Sequence, residues 1–466
     1  MSELRELARF LSGLRWEDVP EEVRKTVRLL LLDNLGAALG AAKAPLPGAV
    51  AGVYLPLAGE KGRVSLWGRG TKAPLTTAVF LNALAGDALG LDDLHTGSKT
   101  HIGVVVIPAA WGLAEQLGCS GEELLLAVVC GYEAMARVGK ALGVSSHRKQ
   151  GWHATATAGT FGAAAACGKL LGLAEEEMTS ALGLAGSQSF GVWAFLGDGT
   201  NSKSLNPARA AVSGCEAALL AKAGMTGPEH ILTAPDGGLL TAMTREGDAA
   251  QAAKDLGTVW EILQMDNRPY PCARSTHGAV DGALALRREH RLSPGEIDWV
   301  WVDTYQVGFQ QCGCGEGSLR PRTPAQAKFS TPYCVACGLL YGEGASPFHT
   351  GMDLKAGGPG IFASDCGNGG QRADGGLSQA LGEPGHGGMP GRAAAFGGGH
   401  RCFRECGQSA DPGAGAGQGP GAYPGKSRGE GGGHCRGHSG FGSGGHPAGA
   451  VTLVGPFIQY ICPLGA

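Results

Sequence analysis

The sequence predicts a mainly α-helical protein: a large all-α domain, a smaller, incomplete α/β lid domain, and a Gly-rich tail. Three observations predict this fold class. From residue 4 to about residue 263, Leu, Ala and Val recur at helical spacing, with Gly at the joints. After Pro269 a helical pattern is followed by a strand pattern, and beyond about Gly344 large apolar residues become rare. We therefore expect domains at 1–263 and 264–344, and a separate segment at 345–466.

The first domain carries clear helix signals. Ser120 and Glu123 have the spacing of a capping box, which predicts that a buried helix begins there and runs to about residue 141. Residues 159–173 and 208–223 are rich in Ala and Gly. Because small side chains let helix backbones approach closely, we expect these two segments to be central helices of a tightly packed bundle.

The second domain mixes helix and strand. Residues 277–288 form an amphipathic helical pattern, and Ser293 and Glu296 are suited to cap a short turn. Residues 299–307 are rich in aromatic and β-branched side chains, which favours a strand. This helix-to-strand unit has no counterpart earlier in the chain.

The tail differs from the rest of the chain in composition. It holds 36 of the 82 glycines within residues 351–466, and Val is absent from 351–450. Such a segment cannot bury enough apolar surface to offset its ordering entropy, so we expect disorder without a collagen repeat. The abrupt change also suggests a hypothesis of a shifted reading frame near residue 345, which resequencing would test.

Composition narrows the class of protein. The chain has 466 residues, 43% of them hydrophobic and 17% charged, and a net charge of −3, so it can bury a large core. Lys and Arg are scattered, which argues against nucleic acid as a partner. The N-terminus lacks the order of a secretion signal, and Asp33 and Pro108 interrupt the longest apolar runs, so we expect a cytoplasmic protein without a membrane span.

The fourteen cysteines are expected to be free thiols, since most lie in helical patterns of a long chain. Cys312 with Cys314 and Cys334 with Cys337 raise the alternative of a zinc site. The first pair is one residue too close for the usual zinc knuckle, and the second lies in an apolar helical pattern. Buried structural thiols are therefore favoured, and no metal is predicted.

Residues 92–101 bring several titratable side chains together in an otherwise Ala-, Leu- and Gly-rich stretch. Two carboxylates, two imidazoles and an amine fall within ten residues, which suggests an active site. The alternative is a solvated loop between two helices, because Thr, Gly and Ser also favour turns.

Five segments in order resemble the MmgE/PrpD family, which includes 2-methylcitrate dehydratase and cis-aconitate decarboxylase. They are residues 31–36 (LLDNLG), 92–101 (DDLHTGSKTH), 151–153 (GWH), 203–207 (KSLNP) and 327–330 (AKFS). The resemblance covers about residues 5–344 and implies a large all-α domain with an α/β lid. It also implies a homodimer that acts on di- or tricarboxylic acids without metal or organic cofactor.

The resemblance carries site residues over by position. The catalytic candidates are His101, His153, Asp93 and Lys203, and the substrate-binding candidates are Asp92, His95, Lys99 and Arg268. Asn206 stands where relatives often have His, and a tyrosine of the decarboxylases would fall near Gly315. The loss of that tyrosine argues against cis-aconitate decarboxylation in particular.

The chemistry can be argued from residue types. Dehydration of a hydroxy acid needs a base, an acid and cations that hold the spreading negative charge. We expect His101 and His153 to form the acid/base pair and Asp93 or Asp92 to orient a histidine. Lys203 and Arg268, joined by Lys99, would clamp substrate carboxylates, Arg268 through a bidentate fork.

Two classes of function remain open at this stage. The favoured one is a cofactor-independent lyase of the 2-methylcitrate dehydratase kind, with an epimerase or decarboxylase of the same family as alternatives. The other is an inactive, incompletely folded family member, because the residues after 350 cannot return helices to the bundle.

Overall fold

The computed structural model describes residues 1–59, 62–292 and 297–342, and four short strands between residues 370 and 463. Helices dominate the described residues, which confirms the mainly helical fold class. The helices before residue 263 are α1 Glu3–Gly13, α2 Glu21–Ala41, α3 Pro45–Ala58, α4 Leu75–Ala88, α5 Gly103–Leu117, α6 Gly121–Ala141, α7 Val144–Lys149, α8 Ala154–Thr157, α9 Gly159–Leu170, α10 Glu175–Ser187, α11 Phe195–Asp198, α12 Leu205–Lys222 and α13 Leu239–Met243.

The described residues also include five later helices and nine strands along the whole chain. The later helices are α14 Arg274–His290, α15 Gln306–Cys312, α16 Glu316–Leu319, α17 Pro324–Lys328 and α18 Thr331–Tyr341. The strands are β1 Val64–Leu66, β2 Thr71–Ala73, β3 Leu94–His95, β4 Met265–Asp266, β5 Ile297–Thr304, β6 Gly370–Gln371, β7 Leu377–Ser378, β8 Arg392–Phe396 and β9 Ile458–Pro463. The antiparallel hairpin β1–β2 was not expected from the helical pattern of this region.

The helical bundle is centred on α5, α6, α9 and α12, whose packed faces are almost fully buried. Glycines sit at the helix crossings. A Cβ atom on Gly131 would lie 2.4 Å from Val106 Cγ1, and one on Gly214 would lie 2.3 Å from the carbonyl oxygen of Thr160. The prediction that small residues allow close helix approach is therefore confirmed for α9 and α12, and Gly131 of α6 has the same role.

The capping box predicted at the start of α6 is present. Ser120 Oγ accepts a hydrogen bond from the Glu123 amide at 3.2 Å, and Glu123 Oε2 accepts one from the Ser120 amide at 2.7 Å. These bonds satisfy donors that a helix start leaves open.

In the second part of the chain, α14 and α18 pack together, and β5 follows α14 as the sequence predicts. The strand β5 pairs in parallel with β8 and antiparallel with β9, in a sheet of order β6-β7-β9-β5-β8. The sequence predicted no partner strands after residue 350, so this pairing differs from that expectation.

Some predictions fall outside the described residues. Ser293 and Glu296 are among them, and so is most of 345–466, for which disorder and a shifted reading frame stay predictions. The proposed boundary near residue 264 also stays a prediction.

Within the described part of the chain, no single helix is both long and apolar enough to cross a membrane. Only α2 and α3 together meet that criterion of length and composition, and they are bent by 83° with respect to each other.

The segment between α4 and α5 is held in place from two sides. Strand β3 pairs antiparallel with β4, so Leu94 lies opposite Asp266 and His95 opposite Met265. Asp93 accepts a hydrogen bond from the Gly103 amide at 2.9 Å and another from Tyr132 of α6 at 2.5 Å. Residues 92–101 are therefore fastened to the bundle at both ends.

The carboxyl group of Asp93 is fully enclosed. Burial raises its pKa to about 6, although the hydrogen bonds from Tyr132 and from the Gly103 amide oppose this shift. No side chain larger than hydrogen fits at Gly103, because a Cβ atom there would lie 2.8 Å from Tyr132 Oη.

We predict that Gly131→Ala lowers the free energy of unfolding by about 1–3 kcal/mol, because the new methyl group overlaps Val106 and the carbonyl oxygen of Gly162. Gly121→Ala in the same helix is the matched control. No atom lies within 4 Å of its new methyl group, and Ala favours helices, so its stability should be equal or slightly higher. Urea unfolding of both variants tests this, and equal effects would contradict the proposed crowding.

We predict that Asp93 makes the protein less stable as the pH rises. Because its pKa is about 6 in the folded protein and lower in the unfolded chain, its contribution is fully present below about pH 4 and is lost as the pH rises through about 6. Asp93→Asn should remove this part of the decline. Urea unfolding across this pH range measures it, and parallel curves for the wild type and the variant would disprove the assignment. Tyr132→Phe should move the decline to higher pH.

Candidate active site

His101 and Asp92 form the central pair of the site. His101 Nδ1 lies 2.8 Å from Asp92 Oδ2 and 2.7 Å from the carbonyl oxygen of Asp93. Both neighbours are acceptors, so Nδ1 carries the hydrogen in the neutral ring. The hydrogen bonds of the described residues leave Nε2 without a partner, and the side chain is 15% exposed. His101 can therefore accept a proton at Nε2 while a carboxylate stabilises the charged ring.

The carboxylate of Asp92 is buried among cationic groups. Arg268 Nη1 lies 3.1 Å from Oδ1, and Lys203 Nζ lies 3.9 Å from Oδ2. Burial alone would raise the pKa of Asp92, but the charges of His101, Lys203 and Arg268 hold it well below its usual value. Asp92 is therefore ionised at neutral pH.

The geometry of the site distinguishes the roles of the two adjacent aspartates, Asp92 and Asp93. Asp93 was predicted to be catalytic and Asp92 to bind substrate, whereas the structure pairs the side chain of Asp92 with His101. The side chain of Asp93 is occupied by Tyr132 and the Gly103 amide, and only its carbonyl oxygen meets His101. A carboxylate also repels the carboxylates of a substrate, so Asp92 is suited to support His101 instead.

Lys203 is held by a carboxylate that the sequence analysis did not select. Its ammonium forms an ion pair with Asp87 of α4, and Ser204 Oγ donates a hydrogen bond to Asp87 Oδ2 at 2.5 Å. Burial lowers the pKa of Lys203, but Asp87 and Asp92 raise it by more, so the amine stays charged. A lone aspartate inside the apolar segment 75–88 was the signal that could have identified Asp87.

His153 lies beside this cluster, near His101. The His101 amide donates to Thr155 Oγ1 at 3.1 Å, which joins the two histidine-bearing segments. The Asn206 amide donates to His153 Nδ1 at 2.9 Å, which leaves the ring hydrogen on Nε2. Burial, with the nearby charges of Lys203 and His101, holds the pKa of His153 well below its usual value. His153 is therefore a neutral donor at physiological pH.

An aromatic wall, defined here as Trp193, Phe195 and Phe329, packs around His153. The rings of Trp193 and Phe195 meet its imidazole edge to face, with centroids at 5.1 and 5.6 Å. Phe329 meets Trp193 at 6.5 Å and brings the second part of the chain to the site. These rings exclude water from one side of the imidazole.

The fork of Arg268 is already engaged. Nη1 binds Asp92, Nη2 donates to the carbonyl oxygen of Cys272, and Nε has no hydrogen-bond partner among the described residues. The predicted bidentate clamp on a substrate carboxylate is therefore not available in this arrangement. Arg268 instead positions Asp92 and adds positive charge to the site.

Two predicted substrate-binding residues, His95 and Lys99, make their contacts outside the cluster around Asp92. His95 is fully buried, with Nδ1 2.8 Å from Ser98 Oγ and Nε2 3.2 Å from Glu261. Both ring nitrogens of His95 thus face protein side chains, Ser98 and Glu261. Lys99 is exposed in a tight turn with a φ of 57°, where its neighbours are Arg274 and Asp266.

The second part of the chain contributes a lysine for which the sequence analysis suggested no role. Lys328 Nζ donates to the carbonyl oxygen of Ala88 at 2.7 Å, next to Asp87. Burial, with the charges of Lys203 and Arg268, lowers the pKa of Lys328 to about 8, and Asp87 and Asp92 oppose this shift. Lys328 could have been identified from the sequence, because it lies in 327–330, one of the five segments that resemble the family.

The cysteines in the described residues form no disulfide bonds with one another. Cys312, Cys334 and Cys337 are buried, and Cys314 is exposed. Among the described residues no group of three or more His, Cys, Asp or Glu side chains has an arrangement that could hold a metal ion.

Comparison with protein-family models gives two adjacent matches. Residues 5–252 match the MmgE/PrpD N-terminal domain, and residues 270–349 match the MmgE/PrpD C-terminal domain. Asp92, His101, His153 and Lys203 fall in the first match, and Lys328 falls in the second.

Curated relatives agree with these matches. The chain is 28% identical over 351 residues to a cis-aconitate decarboxylase of Aspergillus terreus, a match that covers 72% of this chain and 71% of the relative. It is 28% identical over 359 residues to a cis-aconitate decarboxylase-like protein of Aspergillus oryzae, covering 72% and 73%. Cis-aconitate decarboxylase of Homo sapiens is 29% identical over 290 residues, covering 60% and 58%. With both of its family models matched in order, the chain belongs to the MmgE/PrpD family.

Proposed function

We propose that the protein is a cofactor-independent lyase that moves a proton at a carbon next to a carboxylate of a di- or tricarboxylic acid. The observation that carries this proposal is the pairing of His101 with the ionised Asp92 in a site that also holds Lys203 and Arg268. A proton acceptor and excess positive charge are what the loss of such a proton requires.

The geometry supports distinct roles for the two histidines. His101 takes the proton at Nε2, and the charge of Asp92 stabilises the imidazolium that forms. His153 donates a hydrogen bond from Nε2 to the substrate oxygen on which negative charge builds up, because a neutral imidazole with Nδ1 occupied acts as a donor. Lys203, kept charged by Asp87, stabilises the same negative charge.

Dehydration is the favoured reaction: the C–O bond breaks, the proton taken up by His101 passes to the departing hydroxyl, and water leaves. Decarboxylation is the second candidate. The position that carries a tyrosine in the resembling decarboxylases falls near Gly315, which directly precedes the short helix α16 and has no side chain to contribute. The similarity to proteins named cis-aconitate decarboxylase favours the second candidate. Both reactions begin with the same placement of substrate carboxylates.

The homodimer and the cytoplasmic location stay proposals. The homodimer is supported by the apolar side chains of Leu29, Leu32 and Leu57 on α2 and α3, which are 64%, 65% and 82% exposed. The alternative of an inactive family member predicts no proton exchange by the wild-type chain at all.

We predict that His101→Gln lowers the rate of solvent deuterium incorporation into substrate by about 100- to 10,000-fold, because the proton acceptor is lost. His153→Ala should also lower it strongly. Proton NMR of hydroxy tricarboxylates and substituted succinates in heavy water measures the rates. The control is His230→Gln at an exposed histidine, which should behave as wild type. Retained exchange in His101→Gln would remove this residue from the mechanism.

We predict that the protein converts 2-methylcitrate to an unsaturated tricarboxylate and releases no carbon dioxide from cis-aconitate. The reason is the missing tyrosine near Gly315, together with a site that can remove a proton and stabilise the resulting charge. NMR of the products and measurement of released carbon dioxide check both reactions. Carbon dioxide release from cis-aconitate that is lost in His101→Gln would favour the decarboxylase instead.

A further inference from the structure

Lys328 stands at the point where the two parts of the chain meet at the site. It ends helix α17 and precedes Phe329, whose ring packs against Trp193 of the aromatic wall. A Cβ atom on Gly90 would lie 3.7 Å from Arg268 Nη2 and 3.8 Å from Lys328 Cδ, so both cationic side chains flank the same glycine. Lys328 is therefore a neighbour of Arg268, the partner of Asp92, although it comes from a distant part of the sequence.

The charges of the cluster do not cancel. Lys203 is paired with Asp87 and Arg268 with Asp92, but Lys328 has no carboxylate within ion-pair distance among the described residues. Among the described residues, the ammonium of Lys328 donates one hydrogen bond, to the carbonyl oxygen of Ala88. Because an ammonium has three N–H groups, two of them can still bind a ligand.

We propose that Lys328 is a further substrate-binding residue, whose ammonium holds a substrate carboxylate remote from the reacting carbon and so selects tricarboxylates over dicarboxylates. This inference rests on the proposed function, since it names a subsite of the same cleft. Lys203 holds the charge that develops at the reacting end, and Lys328 supplies a separate cation for a further carboxylate. A half-buried ammonium without an ionic partner gains more from an anion than an exposed one does.

A purely structural role for Lys328 must be separated from this one. Ala88 is the last residue of α4, so the ammonium also complements the carbonyl end of that helix. Loss of a helix cap lowers stability and affects all ligands alike. Loss of a carboxylate subsite changes the preference between ligands, which is the property to measure.

The test is calorimetric binding of two non-reacting probes, propane-1,2,3-tricarboxylate and the dicarboxylate glutarate, to the full-length protein. We predict that Lys328→Met weakens tricarboxylate binding by about 10- to 100-fold and leaves glutarate binding nearly unchanged, because one charge-assisted contact is lost. Lys328→Arg should restore most of the preference. The matched control, Lys149→Met, changes an exposed lysine at the end of another short helix and should bind as wild type.

The pH dependence adds a second measurement. The ammonium is protonated below its pKa of about 8, so kcat/KM for a tricarboxylate should fall as the pH rises through about 8 in the wild type. This decline should disappear in Lys328→Met and move to higher pH in Lys328→Arg. A decline that is the same in all three proteins would overturn the assignment.

The outcomes separate this inference from the proposed function. If the wild type turns over a tricarboxylate but Lys328→Met weakens both probes equally, or neither, the subsite is wrong and the lyase proposal stands. If the wild type neither binds the probes nor exchanges a substrate proton, the proposed function fails and the subsite fails with it.

Discussion

The buried carboxylate of Asp92 is the constraint on which the site depends. An ionised carboxylate away from water is costly unless charged groups surround it, and here His101, Lys203 and Arg268 do so. Each of these contacts also fixes the partner: the imidazole is turned so that Nε2 is free, and Arg268 bridges the two parts of the chain. The buried charge of Asp92 therefore positions both His101, the proposed proton acceptor, and the cationic side chains of Lys203 and Arg268.

The fold supplies the rigidity that such an arrangement needs. Close-packed helices with glycines at their crossings hold α5, α6, α9 and α12 in fixed positions, and Asp93 ties the segment 92–101 to α5 and α6. The short pairing of β3 with β4 brings Arg268 to the same place. The candidate catalytic groups on this loop are thus held by contacts to neighbouring helices, which favours a pre-organised site over one assembled on binding.

Much of the fold could be predicted from local sequence patterns, whereas less of the candidate site could be predicted in this way. The capping box at Ser120, the Ala- and Gly-rich central helices and the strand after α14 depend on spacing within a few residues, and the structure has all of them. His101, His153 and Lys203 were selected by residue type and order. His101 and Lys203 lie 2.8 and 3.9 Å from the same oxygen of Asp92, and the His101 amide binds Thr155, two residues after His153. Asp87 and Lys328 were not selected, because neither has a chemical neighbour close in sequence. Their partners lie 116 and 240 residues away.

The sequence by itself determined the helical class, the family and the set of titratable residues from which the site is built. Only the tertiary structure decided what each residue does. Adjacent aspartates with the same chemistry took different roles because Asp92 faces cations and Asp93 faces Tyr132 and an amide. Likewise, His95 Nε2 lies next to the Glu261 carboxylate in a structural contact, whereas His101 Nε2 has no hydrogen-bond partner among the described residues. Burial and the direction of a side chain depend on contacts between distant segments, and these are the quantities that set charge, pKa and access to a substrate.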